Sequence, residues 1–188
     1  MVFYRRKLPH WQPEDKPLFV TWRLHGSLPV GVRPRNSARP SGSDPSQDFP
    51  ADDFLAIDSQ LDQARFGLVW LAQPSVARMV DDSLHEAEKT LRLYTLWAYV
   101  VMSNHVHVLL TPSVPLERIT RALKGYTARE ANKILQRTGL QFWQAESFDH
   151  WVRSEEELSR IVSYIEHNPV RAGLSKRPED WPWSSARK

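Results

Sequence analysis

Two histidines lie one residue apart in the segment WAYVVMSNHVHVLLTP, which covers residues 97–112. Side chains alternate across a β-strand, so His105 and His107 are expected to project from one face while the valines beside them face a core. Two neutral imidazoles held side by side can bind a divalent metal ion and leave room for water, a carboxylate or a phosphate oxygen. The same spacing also fits two hydrogen-bonded histidines on a half-buried strand, so the pair alone leaves both interpretations open.

A tyrosine and an asparagine follow at helical spacing in LSRIVSYIEHNPVRAG. Tyr164 falls beside the apolar stripe of the predicted helix, and Asn168 lies one turn further on the same side. If this flank overlooks the histidine strand, the phenol lies near a metal held by two histidines, with Asn168 as a third ligand. An activated tyrosine forms covalent intermediates, and a divalent metal would make a phosphodiester electrophilic, which predicts a phosphotyrosine ester and rejoining without ATP. Taken alone, Tyr164 also fits an amphipathic residue at the helix surface.

The elements that must position these residues follow the order strand, helix, strand, strand, helix, strand, helix. Hydrophobic patterns predict strands at 17–24, 92–102, 105–112 and 142–154. One or two helices are predicted within 52–90, a basic amphipathic helix at 115–137, and a last helix that opens with a capping box at Ser154 and closes at Asn168-Pro169. This order is close to the split βαβ pattern of ferredoxin-like sheets, an α+β fold with helices packed on an antiparallel sheet.

Length and composition fit one domain over residues 1–188, because 41% of the 188 residues are hydrophobic and eight are tryptophan. The Pro, Ser and Gly residues of 28–50 predict a loop or flexible insertion. The absence of cysteine excludes disulfides and thiolate metal sites, so a metal must take nitrogen and oxygen ligands. We expect a soluble, cytoplasmic protein, because no signal peptide or apolar run of membrane-spanning length occurs. A sequence pI of about 9.3 points weakly to an anionic partner.

Four segments occur in the order NHVHVLL, FWQAESFDHWVR, YIEHNPVRAGL and WPWSSAR. Together they resemble the REP-associated tyrosine transposases, relatives of the IS200/IS605 single-tyrosine transposases in the HUH endonuclease class, over residues 1–25 and 70–188. The resemblance implies that His105 and His107 bind Mg²⁺ or Mn²⁺, that Tyr164 is the nucleophile and that Asn168 completes the metal shell. It also implies cleavage of single-stranded DNA hairpins of palindromic repeats, with a 5′-phosphotyrosine link and a free 3′-hydroxyl.

Candidate nucleic-acid contacts share a positive charge or an aromatic ring: Arg5, Arg6, Lys7, Arg121, Lys124, Tyr126 and Arg129. Cations neutralise phosphates and aromatic rings stack on bases, although solvated faces have the same composition. Tyr126 is a rival nucleophile by spacing alone. The match to the family segment and the polar residue one turn later favour Tyr164.

Two functions of other classes remain open from the sequence. One is a catalytically silent DNA-hairpin-binding protein that keeps the basic surface. The other is a metal-dependent hydrolase in which His105 and His107 activate water, a reaction that needs no tyrosine and leaves no covalent adduct. A monomer is expected rather than the dimer that the IS200-type relatives form.

Overall fold

The computed structural model describes residues 2–5, 9–12, 16–28, 52–64 and 67–187. Two N-terminal strands, β1 (Val2–Arg5) and β2 (Pro9–Gln12), pair antiparallel and are described by their backbone alone. The candidates Arg6 and Lys7 lie outside the described residues, as do the side chain of Arg5 and the predicted insertion after residue 28.

Four strands form the main antiparallel sheet in the order β4-β5-β3-β6. Their bounds are β3 (Leu18–Arg23), β4 (Tyr94–Val101), β5 (His105–Pro112) and β6 (Phe148–Trp151). Strand β5 pairs with both β4 and β3, so the two histidines lie in the middle of the sheet. The predicted hairpin is confirmed, because the Met102 amide donates to the His105 carbonyl at 2.9 Å across a Ser-Asn turn. The predicted α+β fold is confirmed as well.

In the described part of the chain, four α-helices cover the two faces of this sheet: α1 (Asp52–Asp62), α2 (Pro74–Lys89), α3 (Leu116–Ile134) and α4 (Glu155–Arg171). Helix α2 begins at Pro74, whose fixed φ and missing N–H suit a first helical turn. Helices α2 and α3 pack on a cluster that includes Val106 and Val108, whereas α1 and α4 pack on a second cluster that includes Phe19 and Leu109. The valines and histidines of β5 therefore face opposite layers, as the alternation of side chains requires.

The strand predicted at 142–154 is wrong in its extent, because regular pairing covers β6 alone and the earlier part makes one isolated bridge, Leu24 to Trp143. The Lys124 ammonium explains the difference. It donates to the carbonyls of Gln144 at 2.7 Å and Ala145 at 2.8 Å, so these groups point toward α3 rather than toward a strand partner.

The predicted end of the last helix at Asn168-Pro169 is also wrong, since α4 runs through Pro169 to Arg171. A proline removes one intrahelical donor, and near a helix end the tertiary packing tolerates this loss. The chain leaves the helix at Gly173, which has a φ of +70°, and the Leu174 amide donates to the Pro169 carbonyl at 2.8 Å. The two additional residues place Arg171 on the helix.

Candidate metal and tyrosine site

The two histidines of β5 point toward each other beneath α1 and α4. Both side chains are fully buried, and their Nε2 atoms lie 3.0 Å apart. The outer nitrogens are held by neighbours, because His105 Nδ1 donates to Asn104 Oδ1 at 2.7 Å and His107 Nδ1 lies 2.7 Å from the Thr21 hydroxyl. Such partners fix the ring orientation and leave the Nε2 lone pairs available to a metal.

Asp58 of α1 completes a cluster that the sequence analysis missed. Its Oδ1 lies 3.1 Å from His107 Nε2 and 3.7 Å from His105 Nε2, and the three side chains together could hold a metal ion. Asp58 is only 1% exposed. The signal was present in the sequence, because Asp58 stands at helical spacing between Phe54 and Leu61 on the stripe that the helix buries. A carboxylate on a buried stripe needs a partner.

Helix α4 brings two of the predicted residues to the same carboxylate. The Tyr164 hydroxyl donates to Asp58 Oδ2 in a short hydrogen bond. The Asn168 amide nitrogen lies 3.3 Å from that oxygen and 3.3 Å from His107 Nε2. The structure thus brings together the predicted residues His105, His107, Tyr164 and Asn168, with Asp58 at their centre.

Arg171 is the second residue absent from the sequence analysis. Its Nη2 lies 3.3 Å from Asp58 Oδ2 and 3.4 Å from Asp62 Oδ2, and its guanidinium carbon lies 4.1 Å from the centre of the Tyr164 ring. Tyr164 and Arg171 are two helical turns apart, so both face the site. The guanidinium therefore lies beside the phenol together with the Asp58 carboxylate.

Burial sets the ionisation of the histidine and aspartate cluster. Burial, helped by the neighbouring His107, lowers the pKa of His105 to about 3, so this imidazole is neutral. Burial alone would raise the pKa of Asp58, but His107, His105 and the hydrogen bond from Tyr164 hold it well below its ordinary range. A neutral imidazole and an ionised carboxylate are the forms in which these groups bind metals.

At the rim of the site, the pKa values of Asp62 and Tyr164 are raised, whereas those of His105 and Asp58 are lowered. Burial, followed by the charge of Asp58, raises the pKa of Asp62 to about 6. Burial and the same carboxylate raise the pKa of the Tyr164 phenol above its ordinary value, while Arg171 opposes this rise. In the arrangement described here Tyr164 is therefore a hydrogen-bond donor and not a phenolate.

Buried oxygen atoms without partners indicate what the cluster is suited to hold. Asp58 Oδ1, Asp62 Oδ1 and Asn168 Oδ1 are buried and accept no hydrogen bond. An unsatisfied buried polar atom costs about 1–3 kcal/mol, and bound cations are one way to satisfy it. Imidazole nitrogens with carboxylate and amide oxygens suit a divalent ion such as Mn²⁺, and the oxygens suit Mg²⁺. The residues present therefore fit the implied metal.

The DNA-contact candidates of α3 lie on the other side of the sheet. Tyr126 is 47% exposed on the helix whose buried face packs against Val106 and Val108, so it is remote from the histidine pair. Arg121 is exposed and pairs with Glu117, and Arg129 is exposed. Lys124 is engaged by the carbonyls described above.

Among the described residues, no helix combines the length and apolar character that crossing a bilayer requires.

Comparison with known proteins places these elements in a family. The sequence profile described as "Transposase IS200 like" matches residues 70–168, which include both histidines, Tyr164 and Asn168. Asp58 and Arg171 lie outside the matched range. A solved structure of a REP-associated tyrosine transposase bound to a REP hairpin aligns with a TM-score of 0.55 at 18% identity, covering 98% of this chain and 82% of that one. At this identity the likeness shows the fold.

Two curated relatives have related names. The REP-associated tyrosine transposase of Escherichia coli K12 is 31% identical over 97 residues, which are 50% of this chain and 55% of that protein. A Haemophilus influenzae protein assigned as a REP-associated tyrosine transposase is 26% identical over 101 residues, 47% of this chain and 56% of that protein. The chain thus spans about half the length of the curated relatives it matches. Since the profile covers more than half of its residues, the chain belongs to the IS200-like transposase family.

Proposed function

We propose that this protein is a metal-dependent enzyme that nicks and rejoins single-stranded DNA at repeat hairpins through a covalent 5′-phosphotyrosine at Tyr164. One observation carries the proposal. The phenolic oxygen of Tyr164 and the Nε2 atom of His107 contact the same carboxylate, Asp58, so a nucleophile and a metal-ligand set share one centre.

The ligand roles follow from the donor atoms. His105 and His107 would supply nitrogens and Asp58 an oxygen, and a turn of the Asn168 amide would direct its unsatisfied Oδ1 to the same point. When bound, Mg²⁺ or Mn²⁺ would polarise a non-bridging phosphate oxygen and stabilise the charge of the transition state.

Tyr164 performs the covalent step. Its Oη forms a bond to the phosphorus while the bond from phosphorus to the 3′-oxygen breaks, leaving a 5′-phosphotyrosine and a free 3′-hydroxyl. Asp58 holds the phenol through the hydrogen bond that it accepts, the phenolic proton passes to water, and the departing 3′-oxygen takes a proton from water. Attack by a 3′-hydroxyl reverses the step and rejoins the strand without ATP, because the phosphotyrosine ester is similar in energy to the phosphodiester that it replaces.

The DNA partner is proposed from the relatives and from surface charge. The aligned structure holds a REP hairpin, and we propose that hairpins of palindromic repeats bind here too. Arg121, Arg129 and Tyr126 are exposed on α3 and are proposed to contact DNA, with Arg5, Arg6 and Lys7 at the N-terminus. Lys124 adds charge while it holds the segment after Trp143. The protein would act as a monomer of one domain in the cytoplasm.

The test is a denaturing gel of purified protein with labelled single-stranded DNA that carries palindromic repeats of the source genome. Wild type with Mn²⁺ is expected to give a protein-sized labelled band that EDTA and Tyr164→Phe both remove. Tyr126→Phe serves as the matched control and is expected to keep the band. Cleavage without a covalent band would indicate a hydrolase that uses water, and binding without cleavage would indicate a silent hairpin-binding protein.

A further inference from the structure

Arg171 lies between the buried histidine and aspartate cluster and the solvent. Its side chain is 40% exposed, whereas the side chains of its partners Asp58 and Asp62 are 1% and 11% exposed. One side of the guanidinium thus contacts buried carboxylates, and the remainder is open to a molecule that approaches from outside.

A cavity of about 470 Å³ lies on this open side. It is lined by residues of α1 and of the end of α4: Leu55, Ser59, Asp62, Gln63, Arg171 and Ala172. Among the described lining residues Arg171 carries the positive charge, and its guanidinium also lies over the Tyr164 ring. The cavity and the phenol therefore share the Arg171 guanidinium as a neighbour.

Electrostatic repulsion favours a cation at this point. Asp58 and Asp62 place two carboxylates beside Arg171, and their charges would repel a phosphodiester that reacts at Tyr164. A divalent ion held by the histidines would offset part of this repulsion, and the guanidinium over the Tyr164 ring offsets a further part. Arginine suits the task, because its planar fork donates two parallel hydrogen bonds to phosphate oxygens and stays ionised.

We propose that Arg171 binds a non-bridging oxygen of the scissile phosphate and holds that phosphate against Tyr164, as a catalytic residue of the proposed reaction. The inference rests on the proposed function, since it assumes that a phosphodiester reacts at Tyr164. It adds a substrate contact that lies beyond residues 70–168, the range that matches the family profile. The two aspartates hold one side of the guanidinium, which also lies over the Tyr164 ring.

A purely structural role would give a different signature. If Arg171 only neutralised Asp58 and Asp62, its loss would affect every DNA substrate equally. If it binds the phosphate, its loss matters only when that phosphate carries the charged oxygen. A methylphosphonate linkage replaces one charged oxygen with a neutral methyl group and therefore separates the two roles.

The experiment measures binding in a protein that cannot turn over. Tyr164→Phe protein with Mn²⁺ is titrated, by fluorescence anisotropy, with repeat-hairpin oligonucleotides in which one methylphosphonate of defined stereochemistry is moved through the adjoining single strand. We expect one position at which the neutral linkage weakens binding about tenfold, the value of a lost charged hydrogen bond. Adding Arg171→Gln should weaken the unmodified hairpin equally and abolish the effect of the methylphosphonate.

Matched variants keep this test decisive. Arg171→Lys retains the charge and is expected to preserve part of the effect, and Arg177→Gln, at an arginine that pairs with Asp180 and Glu179, should preserve all of it. If every methylphosphonate has the same effect with Arg171 and with Gln at that position, the inference is overturned. A wild-type protein that never forms the covalent band would instead refute the proposed function, because that band is measured separately.

Discussion

Two histidine–carboxylate pairs lie at the two ends of the region that α4 covers, and they differ in how completely they are satisfied. His107 Nε2 lies 3.1 Å from Asp58, and His150 Nε2 lies 2.9 Å from Glu157. Both carboxylates are buried. Residue type, distance and burial alone therefore do not distinguish a reactive site from a structural contact.

The unsatisfied atoms distinguish them. Glu157 accepts from His150 at one oxygen and from the Arg153 amide, at 2.7 Å, at the other, and its own amide donates to the Ser154 cap of α4. Asp58 retains a buried oxygen without a hydrogen bond, directed at two imidazoles. The first pair fixes the start of the helix, and the second holds a group of lone pairs that a cation would satisfy.

The largest expected effect comes from the histidines. His105→Ala and His107→Ala should each reduce formation of the covalent adduct by at least about 100-fold, because changes outside the ligand shell already cost about 10- to 100-fold. The initial rate of adduct formation measures this. Val106→Ala, between them on β5, faces the other layer and should keep the rate while losing about 2 kcal/mol of unfolding free energy. An unchanged rate in either histidine variant would remove the metal assignment.

Replacing each of the two buried carboxylates with its amide tests the comparison between the two histidine–carboxylate pairs. Asp58→Asn should lower Mn²⁺ affinity, measured by calorimetry, by about 10- to 100-fold, since it removes a charged donor. Glu157→Gln should leave that affinity unchanged, because neither of its oxygens faces the imidazoles of β5. Equal losses of affinity in both variants would mean that burial, and not the set of unsatisfied atoms, controls binding.

A smaller effect is expected from the residue that orients His107. Thr21→Val keeps the shape but loses the contact to Nδ1, and Mn²⁺ affinity should fall about tenfold. The matched control is Thr127→Val on the opposite layer, where the hydroxyl accepts from Trp143 Nε1 at 2.9 Å. That variant should lose stability only. Retention of full affinity in Thr21→Val would show that the ring is held by packing alone.

The smallest effect concerns pH. Burial would raise the pKa of Glu157, but the Arg153 amide and His150 outweigh it, so the folded-state pKa lies below the unfolded value. Its contribution to stability is then complete above the ordinary glutamate pKa, about 4.3, and is lost as the pH falls through the folded value. Glu157→Gln should lower the unfolding free energy by about 1–2 kcal/mol at neutral pH and by much less in strong acid. Denaturant titrations at both pH values measure the difference, and a difference that stays constant would contradict this reasoning.

Much of the site was predictable because it depends on local periodicity. The alternation of side chains along β5 placed His105 and His107 on one face of that strand. Helical spacing placed Tyr164 and Asn168 on one side of α4. Neither pattern states which flank of α4 faces β5. That relation depends on tertiary packing, such as Ile161 and Ile165 against the sheet.

The two missed residues have separate causes. Asp58 lies on a helix that was predicted within 52–90, but its partners are far along the chain and no local spacing connects them. Arg171 was missed because the helix was predicted to end at Asn168-Pro169. A proline that removes a single donor near a helix end does not stop the helix when packing supports it.

The central claim is that Tyr164, and not another tyrosine, is the group that becomes joined to DNA beside the histidine and aspartate cluster. The most direct measurement is peptide mapping by mass spectrometry of the covalent adduct formed by wild-type protein with Mn²⁺ and repeat-hairpin DNA, after nuclease digestion. The account predicts a nucleotide remnant on the peptide that contains Tyr164. A remnant on Tyr126 or on any other side chain would contradict it.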